Sequence, residues 1–211
     1  MALLTAAQAA DIAFPELVST GLDAGMQARL EAWIARGQSA LARWCWYPTP
    51  STGARANLES STYIQYLRGN PDKLRHLDTH FSHGRLVSVT SVYDDPSLDW
   101  GADTLVDSGD YSLIQPDGVI LLTSTSTHGA WGITTDSIKL THVGGWTSST
   151  VPYEVQEALG LLAGHYARLK AEQGHGSVSA SGASVATIAE DMPAQVAEIM
   201  APYRMLGRGW A

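Results

Sequence analysis

The feature that most constrains this chain is a change of hydrophobic period. Apolar residues recur every three to four positions near both ends, and every second position between about Ala56 and Gly145. The first period lines one face of a helix, and the second lines one face of a strand. A sequence that switches between them twice predicts helices on either side of an inserted sheet. The expected fold class is α+β, a small α-helical bundle with an inserted antiparallel β lobe. The expected division is 1–55 for the N-terminal helices, 56–148 for the lobe, and 149–211 for the C-terminal helices and a tail.

Thr5-Ala6-Ala7-Gln8 has the spacing of a capping box, in which the first side chain caps the backbone N–H of the fourth residue and the fourth reaches back. A short helix is expected to start there and to end before Pro15, since a residue preceding proline is pushed out of the helical region. From Asp23 onward, Met26, Leu30, Trp33, Ile34, Leu41 and Trp44 form a stripe that predicts a long amphipathic helix, closed by Pro48 and Pro50. Gln27, Arg29, Glu31, Arg36, Gln38 and Arg43 fall on its other face, as a solvated side or as a subunit contact in an oligomer.

Tyr63-Ile64-Gln65-Tyr66-Leu67, Leu86 to Val92 and Ser137 to Val143 alternate as strands do. Tyr111 to Gln115 and Val119 to Leu122 flank Pro116-Asp117-Gly118, where a tight turn with glycine free to take positive φ predicts a hairpin. One antiparallel lobe of at least five strands is expected. Helical character returns after Thr150, with Pro152 near the first helical position and Glu154 in the first turn. Val155, Leu159, Leu162, Tyr166 and Leu169 form its buried stripe, and Gly174 stops it. Residues Gly174 to Ser184 are mostly Gly, Ser and Ala, a composition that orders only against a neighbour. Asp191 and Pro193 predict the start of a last short helix bearing Val196, Ile199, Met200 and Tyr203.

Apolar residues make up 45% of the chain and charged residues 16%, a balance that supports a packed core and excludes disorder. The 13 Lys and Arg against 21 Asp and Glu give a net charge of -8, which argues against a surface built to grip nucleic acid but allows a channel through which DNA slides. Cys45, the lone cysteine, sits among Trp44, Trp46 and Tyr47, which predicts a buried thiol and assembly in a reducing cytoplasm. Met1-Ala2-Leu3-Leu4-Thr5 lacks the features of a signal peptide, and no apolar stretch is long enough to span a bilayer, so a soluble protein without a membrane partner is expected.

The order of elements in the C-terminal half carries a resemblance. Ile138-Lys139-Leu140-Thr141-His142-Val143-Gly144-Gly145-Trp146 is followed by Val151-Pro152, a Gly/Ser-rich gap, Met192-Pro193-Ala194-Gln195-Val196, and Ala201-Pro202-Tyr203-Arg204. This succession resembles the head-tail connector (adaptor) family of tailed bacteriophages and gene transfer agents. There a strand ends in an aromatic-flanked glycine, Val-Pro opens a long helix, and a Leu-Pro helix ends in a Pro-Tyr-Arg-like sequence. Methionine stands here where that family has leucine before the proline. The Leu3-Leu4-Thr5 opening and the strand Leu86 to Val92 are also similar to longer members.

The resemblance implies an oligomeric, dodecameric ring beneath the portal protein of a virion neck, assembled in the bacterial host cytoplasm. The ring would extend the DNA channel without sequence-specific binding and dock a stopper or tail-completion protein. It implies no catalysis and no cofactor. In the family the C-terminal segment reaches into the portal, a role carried onto Tyr203, Arg204, Met205, Leu206, Arg208 and Trp210. Those residue types suit the expectation, because a short tail of Arg, Met, Leu and Trp is too small for its own core yet rich in interface hot-spot side chains. Another neck or tail-completion protein is the alternative.

The sequence also carries residues that could support chemistry. His76, His80 and His83 have the spacing that brings imidazoles to one helical face, the basis for a small metal-dependent hydrolase. No glutamate base accompanies them and Gly84 follows at once, so a polar loop between strands is the expectation. Asp94, Asp95 and Asp99 suit turn chemistry better than a cation site. The Gly174-His175-Gly176-Ser177 and Ser181-Gly182-Ala183-Ser184 runs lack the strand-turn-helix setting of a nucleophilic serine, and no phosphate-binding glycine loop ending in Gly-Lys-Ser/Thr is present. Trp100, Trp131 and Trp146 could form a carbohydrate platform, but packing within the lobe is the expected use.

Overall fold

The computed structural model describes residues 3–15, 21–54, 56–79, 81, 85–115, 117–172 and 192–204. They form two compact units. The first comprises Met1–Cys45 with Ser148–Pro202, and the second comprises Trp46–Thr147 joined by Tyr203.

The first unit is helical. Helix α1 (Ala6–Ala13) begins at Thr5, whose Oγ1 accepts from the Gln8 N–H at 3.2 Å while Gln8 Oε1 accepts from the Thr5 N–H at 2.9 Å. Two of the donors that any helix start leaves unpaired are thereby satisfied. Helix α2 (Ala24–Trp44) is capped by Asp23, which accepts from the Met26 N–H at 2.7 Å. It ends at Cys45 rather than continuing to Pro48, because Trp46 takes a left-handed conformation at φ 62°. Helix α3 (Tyr153–Glu172) packs against α1, α2 and α4 (Ala194–Met200). Leu30, Ile34 and Leu41 of α2 and Val155, Leu159 and Leu162 of α3 are buried, whereas Met26 and Trp33 are only partly so.

Two glycines set the α1–α3 distance. A Cβ at Gly160 would lie 2.7 Å from Ile12, and one at Gly164 would lie 2.7 Å from the Ala13 Cβ. Helix α4 starts with Pro193 at its N-cap, and Asp191, the expected start, lies outside the described residues. The Gly/Ser-rich run Gly174 to Ser184 lies outside them too. Among the described residues no helix is long and apolar enough to cross a membrane.

The second unit is the β lobe, which among the described residues holds six strands in two three-stranded antiparallel sheets. In the first, β6 (Ile138–Gly144) lies between β1 (Ser61–Leu67) and β3 (Leu86–Asp94). Pairing runs from Ser61 opposite Gly144 to Leu67 opposite Ile138, and β3 breaks register between Leu86 and Ser88 and again between Val89 and Ser91. Ile138, Leu140 and His142 point inward from the central strand. The second sheet has β5 (Val119–Leu122) between β4 (Tyr111–Ile114) and β2 (His76–Asp78). Strands β4 and β5 form the expected hairpin, with Gly118 at φ 67° in its turn.

Strand β2 corrects the sequence reading of a loop. Its three residues pair with Val119 to Leu121 because the free edge of β5 supplies hydrogen-bond partners that local sequence does not reveal. Mixed helices and antiparallel sheets make the fold α+β.

Candidate functional site

Of the six tail residues singled out, Tyr203 and Arg204 are described, whereas Met205, Leu206, Arg208 and Trp210 lie outside the described residues. Tyr203 closes the 3-10 turn Ala201–Tyr203 and is half-buried, and Arg204 is exposed. Tyr203 groups with the β lobe, and the contacts that hold it there are made by a buried arginine and a buried tryptophan.

The setting is built from the chain outward. After β6 the backbone turns at Gly145, whose φ of 96° favours glycine and whose N–H donates to the Arg85 carbonyl at 2.8 Å. A Cβ there would stand 2.5 Å from the Glu59 carbonyl oxygen. Trp146 follows, donating its N–H to the Leu58 carbonyl at 3.0 Å and accepting from the Ser60 N–H at 2.8 Å. This places Trp146 beside Arg85, the residue before β3.

Arg85 is fully buried. Its Nη1 donates to the Tyr47 hydroxyl at 2.8 Å and to the Tyr203 carbonyl at 2.7 Å. The guanidinium carbon stands 5.0 Å from the Tyr47 ring centroid and 5.8 Å from that of Trp146. Tyr203 meets Trp146 edge to face, centroids 5.6 Å apart. Taking a guanidinium out of water costs several kcal/mol, so it persists where oriented acceptors and ring faces replace the water. The backbone oxygen of Tyr203 is one of those acceptors. Sequence reasoning missed Arg85, since nothing local distinguishes it from a surface arginine flanking a strand.

The remaining candidates fall out differently. His76 lies on β2 and is exposed, so the helical spacing that would have grouped it with His80 and His83 does not apply, and the latter two lie outside the described residues. No metal-binding group of His, Cys, Asp and Glu is present among the described residues. Asp94 Oδ2 lies 2.7 Å from His128 Nε2 and accepts from the Gly132 N–H at 2.7 Å. Asp95 accepts from the Ser97 N–H, the Ser97 hydroxyl, the Asp99 N–H and the Trp100 N–H, at 2.8, 2.6, 3.0 and 2.8 Å. The Ser97 hydroxyl, aided by these backbone donors, holds the Asp95 carboxyl below its ordinary range. Both carboxylates therefore fasten loops.

Trp131 and Trp146 are buried, while Trp100 lies tilted against Tyr66, centroids 5.0 Å apart, beneath the Lys139 ammonium. Cys45, the lone cysteine, is buried. The serine runs after Gly174 lie outside the described residues.

His142 is the other buried ionisable side chain of note. Its Nε2 lies 2.9 Å from Gln65 Oε1, and Gln65 Nε2 donates to the Thr79 carbonyl at 3.2 Å, which orients the amide so that the imidazole is the donor. Phe81 packs edge-on at 4.6 Å and Tyr63 stacks at 5.7 Å. Burial pushes the imidazole pKa down to about 4, with the Val143 backbone opposing the shift, so the ring is neutral at pH 7.

No protein-family model matches the chain, and no curated protein matches it. Among solved structures, it is similar to a chain in the neck of an empty GTA particle computed with C6 symmetry. Identity is 17%, the TM-score is 0.55, and the match covers 94% of this chain and 88% of that one. It is also similar to a chain in the virion of a native gene transfer agent (GTA) particle, at 17% identity and TM-score 0.49, covering 94% and 88%. A chain in the neck of a native GTA particle computed with C12 symmetry gives 19% identity and TM-score 0.45, covering 93% and 90%. The first similarity shows the fold. This chain shares its architecture with a chain of a GTA particle neck, and the match extends over nearly its whole length.

Proposed function

We propose that this chain is a structural neck protein of a tailed phage or gene-transfer-agent-like particle, a head-tail adaptor that works as a closed ring and catalyses nothing. The observation that carries this reading is the fold shared with a GTA neck chain over 94% of the sequence. The ordered C-terminal resemblance to the connector family supports it independently. In this reading copies associate head to tail about the particle axis, and closure of the ring removes any open end. The ring extends the DNA channel beneath the portal and docks a stopper or tail-completion protein. Its net charge of -8 suits a lumen along which DNA slides without sticking. Tyr203, Arg204, Met205, Leu206, Arg208 and Trp210 form the portal-binding segment.

Negative-stain imaging and sedimentation of the purified protein, alone and with portal particles, test this. A multi-subunit ring that caps the portal is expected. A chain that stays monomeric over a wide concentration range and ignores portal particles overturns the proposal. Deleting residues 205–211 should abolish portal attachment while leaving the ring, whereas a tail-side neck protein would keep its attachment.

A further inference from the structure

We propose that Arg85 is the positioning residue of the C-terminal segment: its buried guanidinium clasps the Tyr203 carbonyl and so fixes where the partner-binding tail leaves the β lobe. This deepens the adaptor reading and rests on it for the tail's role, but the clasp itself stands on geometry alone. The Tyr203 backbone oxygen lies 2.7 Å from Nη1, the Tyr203 ring stands against Trp146, and Arg85 is fully buried.

A carbonyl held by a buried charged donor is bound more tightly than one facing water. Rotation at Tyr203 would break that bond and lift the ring from Trp146 together, so the two contacts reinforce each other. The chain passes at this point from the helical unit to the lobe. A tail clasped there starts from the lobe, not from α4. A fixed origin lowers the ordering cost that the segment meets on binding.

The test has two arms. In the first, hydrogen exchange is followed in the full chain for peptides spanning 201–208, with β1 and β6 as the internal measure of an intact lobe. Arg85→Met keeps the stem and removes the fork, and should speed exchange in 201–208 by about tenfold or more while β6 stays protected. Tyr203→Ala removes the ring but keeps the carbonyl and should give a smaller increase. Should Arg85→Met lose β6 protection as well, Tyr203→Ala decides. Wild-type exchange in 201–208 in every variant that retains a protected β6 overturns the clasp.

In the second arm, purified portal particles are the probe, and wild type, the 205–211 deletion and Arg85→Met are compared. Weaker binding by Arg85→Met, by about tenfold, with unchanged ring mass is expected. If the deletion binds like wild type, the portal-tail reading fails and the exchange arm judges the clasp separately. If the deletion abolishes binding and Arg85→Met binds like wild type despite a loosened tail, the positioning role is overturned.

Discussion

Acidification should unfasten the β lobe through His142. In the folded chain the imidazole pKa is about 4, against an ordinary value of 6.5, and the cause is burial among Tyr63, Phe81 and the strands of the first sheet. Between those two values the unfolded chain binds a proton that the folded chain refuses. Stability is therefore complete above the unfolded pKa and falls as the pH drops toward the folded one. A gap of this size corresponds to about 3 kcal/mol once titration is complete, and to about 2 kcal/mol between pH 7.5 and pH 5.0. Tyr63, whose pKa burial raises to about 12, stays neutral throughout that window and does not confuse the reading. The assay is urea unfolding of wild type and His142→Gln at both pH values. With a slope of about 2 kcal/mol per molar urea, the wild-type midpoint should fall about 1 M further than that of the variant. The variant is expected to be less stable at pH 7.5, so the comparison rests on pH dependence and not on absolute midpoints. Equal pH dependence in the two proteins would refute the argument.

Two further perturbations probe devices inside each unit, one in the lobe and one in the helical unit. Gly145→Ala forces a side chain into a left-handed position and against the Glu59 carbonyl, and strain plus overpacking should cost about 3 kcal/mol or more, a fall in Tm of about 10 °C by circular dichroism. Thr5→Ala removes half of the α1 capping box and should destabilise the helical unit by about 1 kcal/mol, with Gln8→Ala adding little in the double variant because the two side chains act as one device.

The parts of the fold legible in sequence are those governed by local chemistry. Thr5 with Gln8, and Asp23, announce helix starts because a cap is made within four residues of itself. Strand β6 alternates through its whole length because it is central and one of its faces is buried. What escaped has non-local causes. Pro48 looked like the stop of α2, yet the helix ends earlier at a left-handed Trp46, a conformation that no tryptophan advertises. Strand β2 exists because β5 offers it an edge. Gly160 and Gly164 were invisible to a search for apolar stripes, although they let α1 approach α3 closely. At the candidate site, Tyr203 was named for its neighbours in sequence, but its anchor, Arg85, lies over a hundred residues away and was not seen.

That distant anchor belongs to a pattern in how the lobe uses its polar side chains. Arg85 holds the Tyr203 carbonyl, Asp95 gathers three backbone N–H groups of the turn from Ser97 to Trp100, Asp94 holds the Gly132 N–H, and Gln65 ties His142 to the Thr79 carbonyl. Each of these polar groups satisfies backbone that a loop or strand end would otherwise leave unpaired. Their chemistry is spent on immobilising strand ends and turns around two small sheets, each of three strands among the described residues. Sheets that small gain little rigidity from their ladders alone. In the proposed adaptor, immobilised loops and strand ends would give the segment after Tyr203 a firm starting point, and every freely rotating bond between platform and partner weakens a contact. The arginine that precedes β3 thus continues, at the Tyr203 carbonyl, the same use of buried polarity that fixes the loops of the lobe.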